Sequence, residues 1–406
     1  MNKKILSNGL EIYTEKIDSA KTVTFSIFIK VGSYNETNKF GIAHFIEHMV
    51  FKGTKTRDAQ QIMEEIENVG GYVNAETSFQ HTRYFATVPA ENWKTAANVI
   101  SDIVFHPTLP EEEVDLERTV IQEELKMYSD DSASHVSDLL FIAMHKSYKN
   151  RQSVGGTVQS VSEISRQDLF DFMQKFYQPN NIFVVATGNI QEDEIVNFME
   201  EFTKEFTENN NEFQNEEFEP DILESDTVSL ERNIEQAHFS WGLFGPSANS
   251  EDYYAMEIAT TILGGSSSSR LNQLIREKRG LAYTVRVSYY ALKDSGIILG
   301  YTGLDQNNIQ EVKDIVVEEF ERLRNEPVSD NELKRAIAYT KGSTVISLEK
   351  PSSINSYIGT SIIDDVSSDP DDYIKGIESV TKQDIQKIAR KYFTPDNWQF
   401  SQITPK

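Results

Sequence analysis

Two histidines and a glutamate stand close together in GIAHFIEHMVFKGT, residues 41–54, of a chain that has seven histidines in all. If residues 42–51 form a helix, His44, Glu47 and His48 lie on one face, because positions three and four apart are neighbours on a helix. Most other side chains of the segment are apolar, so the helix is expected to be buried. Buried imidazoles and carboxylates are costly unless they are paired or bind a metal.

This arrangement indicates a zinc site. Two neutral imidazoles one helical turn apart are suitable zinc ligands, and Glu47, if it is not itself a ligand, can take a proton from a water activated by the metal. The alternative is a pair of core histidines hydrogen-bonded to the backbone, with Glu47 a chance neighbour. A third protein ligand would favour zinc, because hydrolytic zinc sites have three protein ligands and leave one position to water.

Candidates for the third ligand lie in the acidic segment PEEEVDLERTVIQEELKMYSDD, residues 110–131. Glu117 and Glu124 are seven positions apart, on one stripe of the predicted helix. The same segment could also form only a charged, solvated helix face. Spacing alone leaves open which glutamate faces inward.

The elements that position these residues follow from the periodicity of apolar side chains. Segments 70–88 and 281–304 alternate and are rich in β-forming residues, which predicts two hairpins. Helices and hairpins without a regular βαβ rhythm favour an α+β fold. Helical spacing is found in residues 58–69, 91–105, 111–128, 310–324 and 330–348.

The chain also carries an internal repeat. TVTFSIFIKVGSYNET (22–37) is similar to QAHFSWGLFGPSANSED (236–252), and each predicts a strand, a turn and a helix. We therefore predict two duplicated domains joined by an acidic linker: residues 1–208 with the zinc site, 209–226 as linker, and 227–406 as a metal-free repeat. On this alignment the positions of His44, Glu47 and His48 are taken by Ile258, Thr261 and Ile262.

The composition disfavours two classes of partner. The net charge of −25 and the pI near 4.7 disfavour binding to nucleic acid or to an anionic membrane, and favour basic peptides. The acidic excess is also typical of a protein that is simply kept soluble by its charge. The chain has no cysteine and no apolar stretch near the roughly 20 residues that span a bilayer. We expect a cytoplasmic protein.

His44-Phe-Ile-Glu47-His48 followed by MVFKGT is the inverted zinc motif, and the sequence resembles the pitrilysin or insulinase-type zinc metallopeptidases, in particular bacterial single-chain members of the mitochondrial processing-peptidase branch. The resemblance implies that Glu124, the last glutamate of ERTVIQEE, is the third zinc ligand. It also implies one zinc per chain, Glu47 as the catalytic base and Glu117 as an assisting acid. Each domain should be a mixed, mostly antiparallel sheet packed with helices, the two forming half of a clamshell.

The resemblance extends to the substrate site. GGYVNAETS is similar to the active-site edge strand of the family, where Asn74 and Ala75 would bind a peptide as an added strand; an ordinary hairpin is the alternative. LGGSSSSRLNQLIREKRGLAYTV is similar to the second-half signature and makes Arg276 and Tyr283 substrate-binding and catalytic candidates. In SHVSDLL, Asp138 takes one of two acidic positions that read arginine in mitochondrial enzymes, whereas Ser134 takes the other.

The implied function is a zinc endopeptidase that cleaves unfolded peptides or presequence-like segments in an enclosed chamber. The implied assembly is a homodimer with shared active sites, in which Arg276 and Tyr283 complete the zinc site of the other chain. Two alternatives are an inactive scaffold subunit with the same fold and an unrelated zinc hydrolase with a convergent inverted motif.

Overall fold

The structure of the protein, a computed structural model, describes residues 1–145, 153–206 and 227–406. The predicted linker, 209–226, lies outside the described residues. The strands are β1 (Asn2–Ile5), β2 (Glu11–Lys16), β3 (Thr22–Ile29), β4 (Tyr72–Thr77), β5 (Thr82–Pro89), β6 (Ile182–Gly188), β7 (Thr227–Arg232), β8 (Ala237–Gly245), β9 (Ala282–Ala291), β10 (Gly296–Leu304) and β11 (Gln399–Pro405).

The described α-helices include all five predicted segments and the helix of the histidine motif. They are α1 (Ile42–Met49), α2 (Ala59–Glu67), α3 (Trp93–Phe105), α4 (Glu111–Asp130), α5 (Ser132–Met144), α6 (Val158–Ser162), α7 (Arg166–Phe176), α8 (Glu192–Phe202), α9 (Tyr253–Leu263), α10 (Ile309–Asn325), α11 (Asp330–Ser347), α12 (Pro351–Ile363), α13 (Pro370–Ser379) and α14 (Lys382–Tyr392). Both predicted hairpins are antiparallel strand pairs, β4 with β5 and β9 with β10.

The described chain forms two compact units, and each has one sheet packed with helices, as expected for a duplicated α+β protein. The units do not follow the single division predicted between 1–208 and 227–406, because each contains one segment from the other half of the sequence. Unit 1 comprises Met1–Lys126, 153–206 and Ser347–Ile363; unit 2 comprises 127–145, 227–346 and 364–406.

The sheet of unit 1 has the strand order β1-β2-β6-β3-β5-β4, and only the β2–β6 pair is parallel among these strands. One face of β3 contributes Phe25 and Ile27 to a core that includes Phe45 of α1. The side chains of β3 on this face are therefore apolar, because they are buried against helices. Strand β4 lies at the edge of the sheet, where it pairs with β5.

The opposite face of this sheet explains why α12, which comes late in the sequence, belongs to unit 1. Phe28 stacks on Phe183 with ring centroids 4.9 Å apart, and Ile358 of α12 packs in the same cluster. Asn355 of α12 is fully buried and donates to the carbonyl oxygens of Thr24 at 3.1 Å and Val185 at 2.9 Å. Without α12 this aromatic face would be exposed to water.

The sheet of unit 2 has the order β7-β11-β8-β10-β9, with β7 and β11 parallel. Helix α5 covers one face, and it approaches so closely that a Cβ on Gly242 would lie 2.7 Å from Met144 Sδ. Ser401 Oγ donates to the carbonyl oxygen of Val136 at 2.6 Å. These contacts place α5 in unit 2, although its sequence falls within the predicted first domain.

The repeat has kept the strand-turn-helix order of the first half in β8 and α9. Ile258 and Ile262 are buried in the core of unit 2, and Thr261 is hydrogen-bonded to Thr340 at 3.2 Å. Three apolar or hydroxyl side chains thus stand where the first half has the histidine motif. None of the described helices combines the length and the apolarity that a membrane crossing requires.

Candidate metal centre and substrate surface

The start of helix α1 is held by a buried carboxylate. Glu36 accepts hydrogen bonds from the backbone N–H groups of Gly41 at 2.8 Å and Ala43 at 3.0 Å, which satisfies two donors that a helix N-terminus leaves free. Gly41 has φ = +91°, a left-handed conformation that favours glycine. Phe45 and Met49 anchor the other side of the helix in the core. The two histidines therefore project from a fixed helix.

His44, His48 and Glu124 converge on one point. Glu124 Oε2 lies 3.8 Å from His44 Nε2 and 3.4 Å from His48 Nε2, and one ligand atom from each of the three residues lies within 4.8 Å of the others. In the described ranges, this is the one group of at least three such side chains close enough to share a metal ion. Two imidazoles and one carboxylate with a position left for water fit zinc.

The protonation of His44 also suits a metal ligand. Burial, assisted by the charge of His48, lowers the pKa of His44 to about 4, so the ring is neutral at pH 7. Its Nδ1 is buried and has no hydrogen-bond partner among the residues that the structure describes, and the ring lies against Gly155, where a Cβ would be 3.6 Å from this nitrogen. Within the described part of the chain, packing and not a hydrogen bond to Nδ1 holds the ring of His44.

Glu117 makes different contacts from Glu124. Its Oε1 lies 2.8 Å from His48 Nδ1, and its Oε2 lies 2.5 Å from Lys52 Nζ. Burial raises the pKa of Glu117, but the bonds from His48 and Lys52 outweigh it and lower the pKa overall. An ionised Glu117 accepts the Nδ1–H of His48 and leaves Nε2 to face the ligand cluster.

The pKa of His48 is shifted in the opposite direction to that of Glu117. Burial lowers its pKa, but the hydrogen bond with Glu117 and the negative charges of Glu117, Glu124 and Glu47 outweigh burial and raise the pKa overall. The same carboxylates that orient the ring therefore also attract positive charge to it. A divalent cation at the cluster would satisfy this attraction.

Glu47 is not part of the cluster of His44, His48 and Glu124, and its side chain is held by a residue of strand β4. Thr77 Oγ1 at the end of β4 donates to Glu47 Oε2 at 2.5 Å. Burial raises the pKa of Glu47, and the Thr77 bond only partly opposes this effect. A carboxylate that is positioned beside the cluster and has a raised pKa is suited to accept and return a proton.

Strand β4 presents an edge that a peptide could extend. Val73 and Ala75 pack toward the core, whereas Tyr72, Asn74 and Glu76 are exposed on the other face. The Ala75 N–H donates to Asn74 Oδ1 at 2.9 Å, and within the described residues β4 has no second strand partner. The edge strand of the other sheet, β9, is partly closed by two hydrogen bonds: the Val287 N–H donates to the Gly264 carbonyl oxygen, and Asn272 Nδ2 donates to the Val285 carbonyl oxygen.

The other predicted substrate residues lie in unit 2. Arg276, in the π-helical segment Asn272–Lys278, places its Cζ 4.9 Å from the ring centroid of Tyr283 on β9. Tyr283 is 77% exposed. The structure thus brings Arg276 and Tyr283 together in a cation–π contact that is open to solvent. Asp138 lies on α5, where burial raises its pKa to about 6.

Comparison with known proteins agrees with this geometry. Residues 11–158 match the family model described as insulinase (peptidase family M16), and residues 163–339 match the one described as the M16 inactive domain. A zinc protease of Bacillus subtilis is 32% identical over 96% of this chain and 95% of its own length. The chain belongs to the M16, or insulinase, family of peptidases. The matched inactive domain covers part of the half in which the histidine motif is replaced.

Two further M16 comparisons extend over nearly the whole chain. A zinc protease of Streptomyces coelicolor is 33% identical over 96% of this chain and 86% of its own length. The crystal structure of a protease from Helicobacter pylori has a TM-score of 0.92 and 22% identity, and covers 100% of this chain and 99% of the other. The fold of this chain is thus the two-domain M16 fold, and its relatives are zinc proteases.

Sequence reasoning missed three residues of this site. Glu36 and Thr77 carry no local signal, since they reach α1 from a loop and from another strand. Lys52 could have been noticed, because it stands four positions after His48 in MVFKGT. Its role depends on Glu117, which only the fold brings to it.

Proposed function

We propose that this M16 peptidase is a zinc endopeptidase of the processing-peptidase type, which hydrolyses unfolded, preferentially basic peptides. The observation that carries the proposal is the convergence of His44, His48 and Glu124 beside Glu47, which is not one of the three. This is the division of labour that a hydrolytic zinc site needs: three ligands and a separate proton acceptor.

Residues of the site have distinct tasks in this reaction. Zinc held by His44, His48 and Glu124 would supply a Lewis acid for a water molecule and the scissile carbonyl. Glu47 accepts the proton of the water and passes it to the leaving amine, while Thr77 holds the carboxylate in place. Glu117 keeps His48 in the tautomer that presents Nε2.

Substrate binding uses the exposed edge of β4. A peptide added as a strand beside Asn74 and Ala75 would take the hydrogen bond that the Ala75 N–H now makes with Asn74. Tyr283 would donate a hydrogen bond to the oxyanion, and Arg276 would hold the substrate backbone. The net charge of −25 and the carboxylate of Asp138 support a preference for basic peptides, including presequence-like segments.

We further propose a cytoplasmic homodimer in which two chains form a clamshell around an enclosed chamber, with one zinc per chain. Arg276 and Tyr283 would then act on the zinc site of the partner chain. Support for this assembly comes from the split of the functional residues: the ligand cluster lies in unit 1, and the Arg276–Tyr283 pair lies in unit 2.

The proposal is tested by incubating the purified protein with a library of unstructured peptides and identifying the products by mass spectrometry. We expect internal cleavage that is abolished by a chelator and restored by zinc, with close to one zinc per chain by elemental analysis. Glu47→Gln is the matched control for a contaminating protease. A protein that binds zinc and cleaves nothing would instead be a scaffold subunit.

A further inference from the structure

Four side chains form a continuous row on the face of the sheet opposite α1. Glu76 of β4 pairs in register with Arg83 of β5, and Asn74 pairs with Phe85, so these residues share one face. Tyr72 continues the row and meets the ring of Phe85 edge-on, with centroids 6.4 Å apart and planes at 89°. We refer to Tyr72, Glu76, Arg83 and Phe85 as the β4 shelf.

The base of the β4 shelf is rigid. The guanidinium of Arg83 donates to Glu76 Oε1 at 3.1 Å and to Asn355 Oδ1 at 2.9 Å, and its Cζ lies 4.1 Å from the ring centroid of Phe85. Asn355 is fully buried and bonded to two backbone carbonyls of the sheet. Arg83 therefore cannot turn away from the shelf without breaking a buried polar network.

The upper surface of the shelf is open to solvent. The side chain of Glu76 is 47% exposed, whereas that of Arg83 is only 4% exposed, so an incoming group meets the carboxylate first. Tyr72 is 52% exposed, so its ring is also accessible to an incoming group. An acidic group and an aromatic surface thus stand four residues apart on the same face of an edge strand.

The position of this strand connects the shelf to the catalytic site. Thr77, which ends β4, is bonded to Glu47, so a peptide paired with β4 passes the proposed general base at that end. In an added strand, alternate side chains lie on the shelf face, next to the β4 residues opposite them. The peptide residue beside Tyr72 would lie four residues, or roughly 13 Å, from the one beside Glu76.

We propose that the β4 shelf selects substrates by two side chains four positions apart: a lysine or arginine beside Glu76, close to the bond that is cut, and a large apolar or aromatic residue beside Tyr72. The inference rests on the proposed function, since it requires a peptide bound along β4. Glu76 attracts the cation, and Tyr72 with Phe85 provides the apolar contact area. Cross-strand pairs of this kind change affinity by up to about 5-fold each.

The experiment compares cleavage profiles of a randomised peptide library for wild type, Glu76→Gln and Tyr72→Ser. Wild type should enrich basic residues at one position near the cut and large apolar residues four positions away. Glu76→Gln should lower the enrichment of basic residues by about 5-fold and leave that of large apolar residues unchanged. Tyr72→Ser should lower the enrichment of large apolar residues and leave that of basic residues unchanged. Tyr339→Ser, which removes another exposed tyrosine, on α11, is the matched control and should leave the profile unchanged.

A second variant separates the effect of charge from that of stability at Glu76. Loss of the Glu76 carboxylate leaves Arg83 bonded, among the described residues, only to the neutral Ser26 and Asn355. Glu76→Asp keeps the carboxylate and should keep the basic preference, with folding of each variant checked by thermal unfolding. If the variants cleave the library with the wild-type profile, the shelf does not select substrates, while the peptidase function stands. If zinc-loaded wild type cleaves no peptide, both the proposed function and the shelf are overturned.

Discussion

Glu117 Oε1 and His48 Nδ1 are hydrogen-bonded at 2.8 Å, on the side of the imidazole ring that faces away from Glu124. We therefore expect Glu117→Gln to lower zinc affinity by about 10- to 100-fold, as is typical for a partner of a ligand, and Glu124→Gln to lower it further because a ligand is lost. Competition with a chromogenic chelator measures both. Equal losses, or a larger loss for Glu117→Gln, would mean that the ligand assignment is wrong.

The second prediction concerns Glu47, which touches Thr77 and is not one of the three clustered residues. Glu47→Gln should bind zinc stoichiometrically and lose peptide hydrolysis, because an amide cannot accept the water proton. Elemental analysis and peptide turnover are measured on the same sample. Retained zinc together with undiminished turnover would contradict the role of Glu47 as general base.

The third prediction concerns the hydroxyl of Thr77. Thr77→Val keeps the shape of the side chain but removes the hydrogen bond to Glu47, so we expect kcat to fall by about 10-fold with zinc affinity unchanged. Thr77→Ser, which restores the hydroxyl, should recover most of kcat. If Thr77 had a purely structural role, the kcat of both variants would follow their thermal stability and not the presence of the hydroxyl.

A fourth prediction tests whether Arg276 and Tyr283 act on the partner chain. Glu47→Gln and Tyr283→Phe are each expected to be inactive, and are mixed under conditions where subunits exchange. With shared sites, half of the randomly mixed dimers have one complete site, so activity should approach about a quarter of wild type. If mass spectrometry shows exchange and activity stays at the level of the separate variants, the pair acts within its own chain.

The fifth prediction concerns stability and pH in unit 2. Burial raises the pKa of Glu257 on α9 to about 7, with only a bond to Tyr253 opposing it, and Tyr253 and Tyr289 stay protonated because burial raises their pKa values. A folded-state pKa above the unfolded value means that the unfolded state releases its proton first, so stability falls as pH rises from about 4.5 to 7. Above pH 7 the loss is constant.

Glu257→Gln removes this titration. We expect it to stabilise the protein at pH 8, relative to its effect at pH 4, by about 3 kcal/mol. Denaturant unfolding of both proteins at the two pH values measures the difference, and the comparison at each pH removes effects common to both chains. The same change in unfolding free energy at pH 4 and pH 8 would show that Glu257 is not protonated by burial.

Local patterns in the sequence were sufficient for helix α1, the five predicted helical segments, the two hairpins and two of the three residues of the metal cluster. Helix α1 and its His44-Glu47-His48 face could be predicted because helical spacing relates residues only three and four positions apart. The β4–β5 and β9–β10 hairpins were predictable for the same reason, since their partners are close in sequence. The resemblance to the insulinase family then named Glu124, which local spacing had left open.

Local spacing left open the choice between Glu117 and Glu124, which share one stripe of α4, and only the tertiary structure shows the contacts that separate them. That choice depends on how α4 lies against α1, and it becomes visible when Glu117 meets His48 and Lys52 while Glu124 meets both histidines. Thr77 reaches Glu47 from a separate strand, so no spacing within α1 could reveal it.

Local sequence patterns also could not predict that each unit contains a segment from the other half of the sequence. By itself the sequence determined some of the helices and both hairpins, and its internal repeat indicated two similar domains, but α5 and α12 were not among the predicted helices. Each sheet is covered by helices on both faces, and the second face is covered by α12 in unit 1 and by α5 in unit 2, both from the other half of the sequence. Burial of a face depends on which distant residues pack against it, and periodicity within a segment carries no information about that partner.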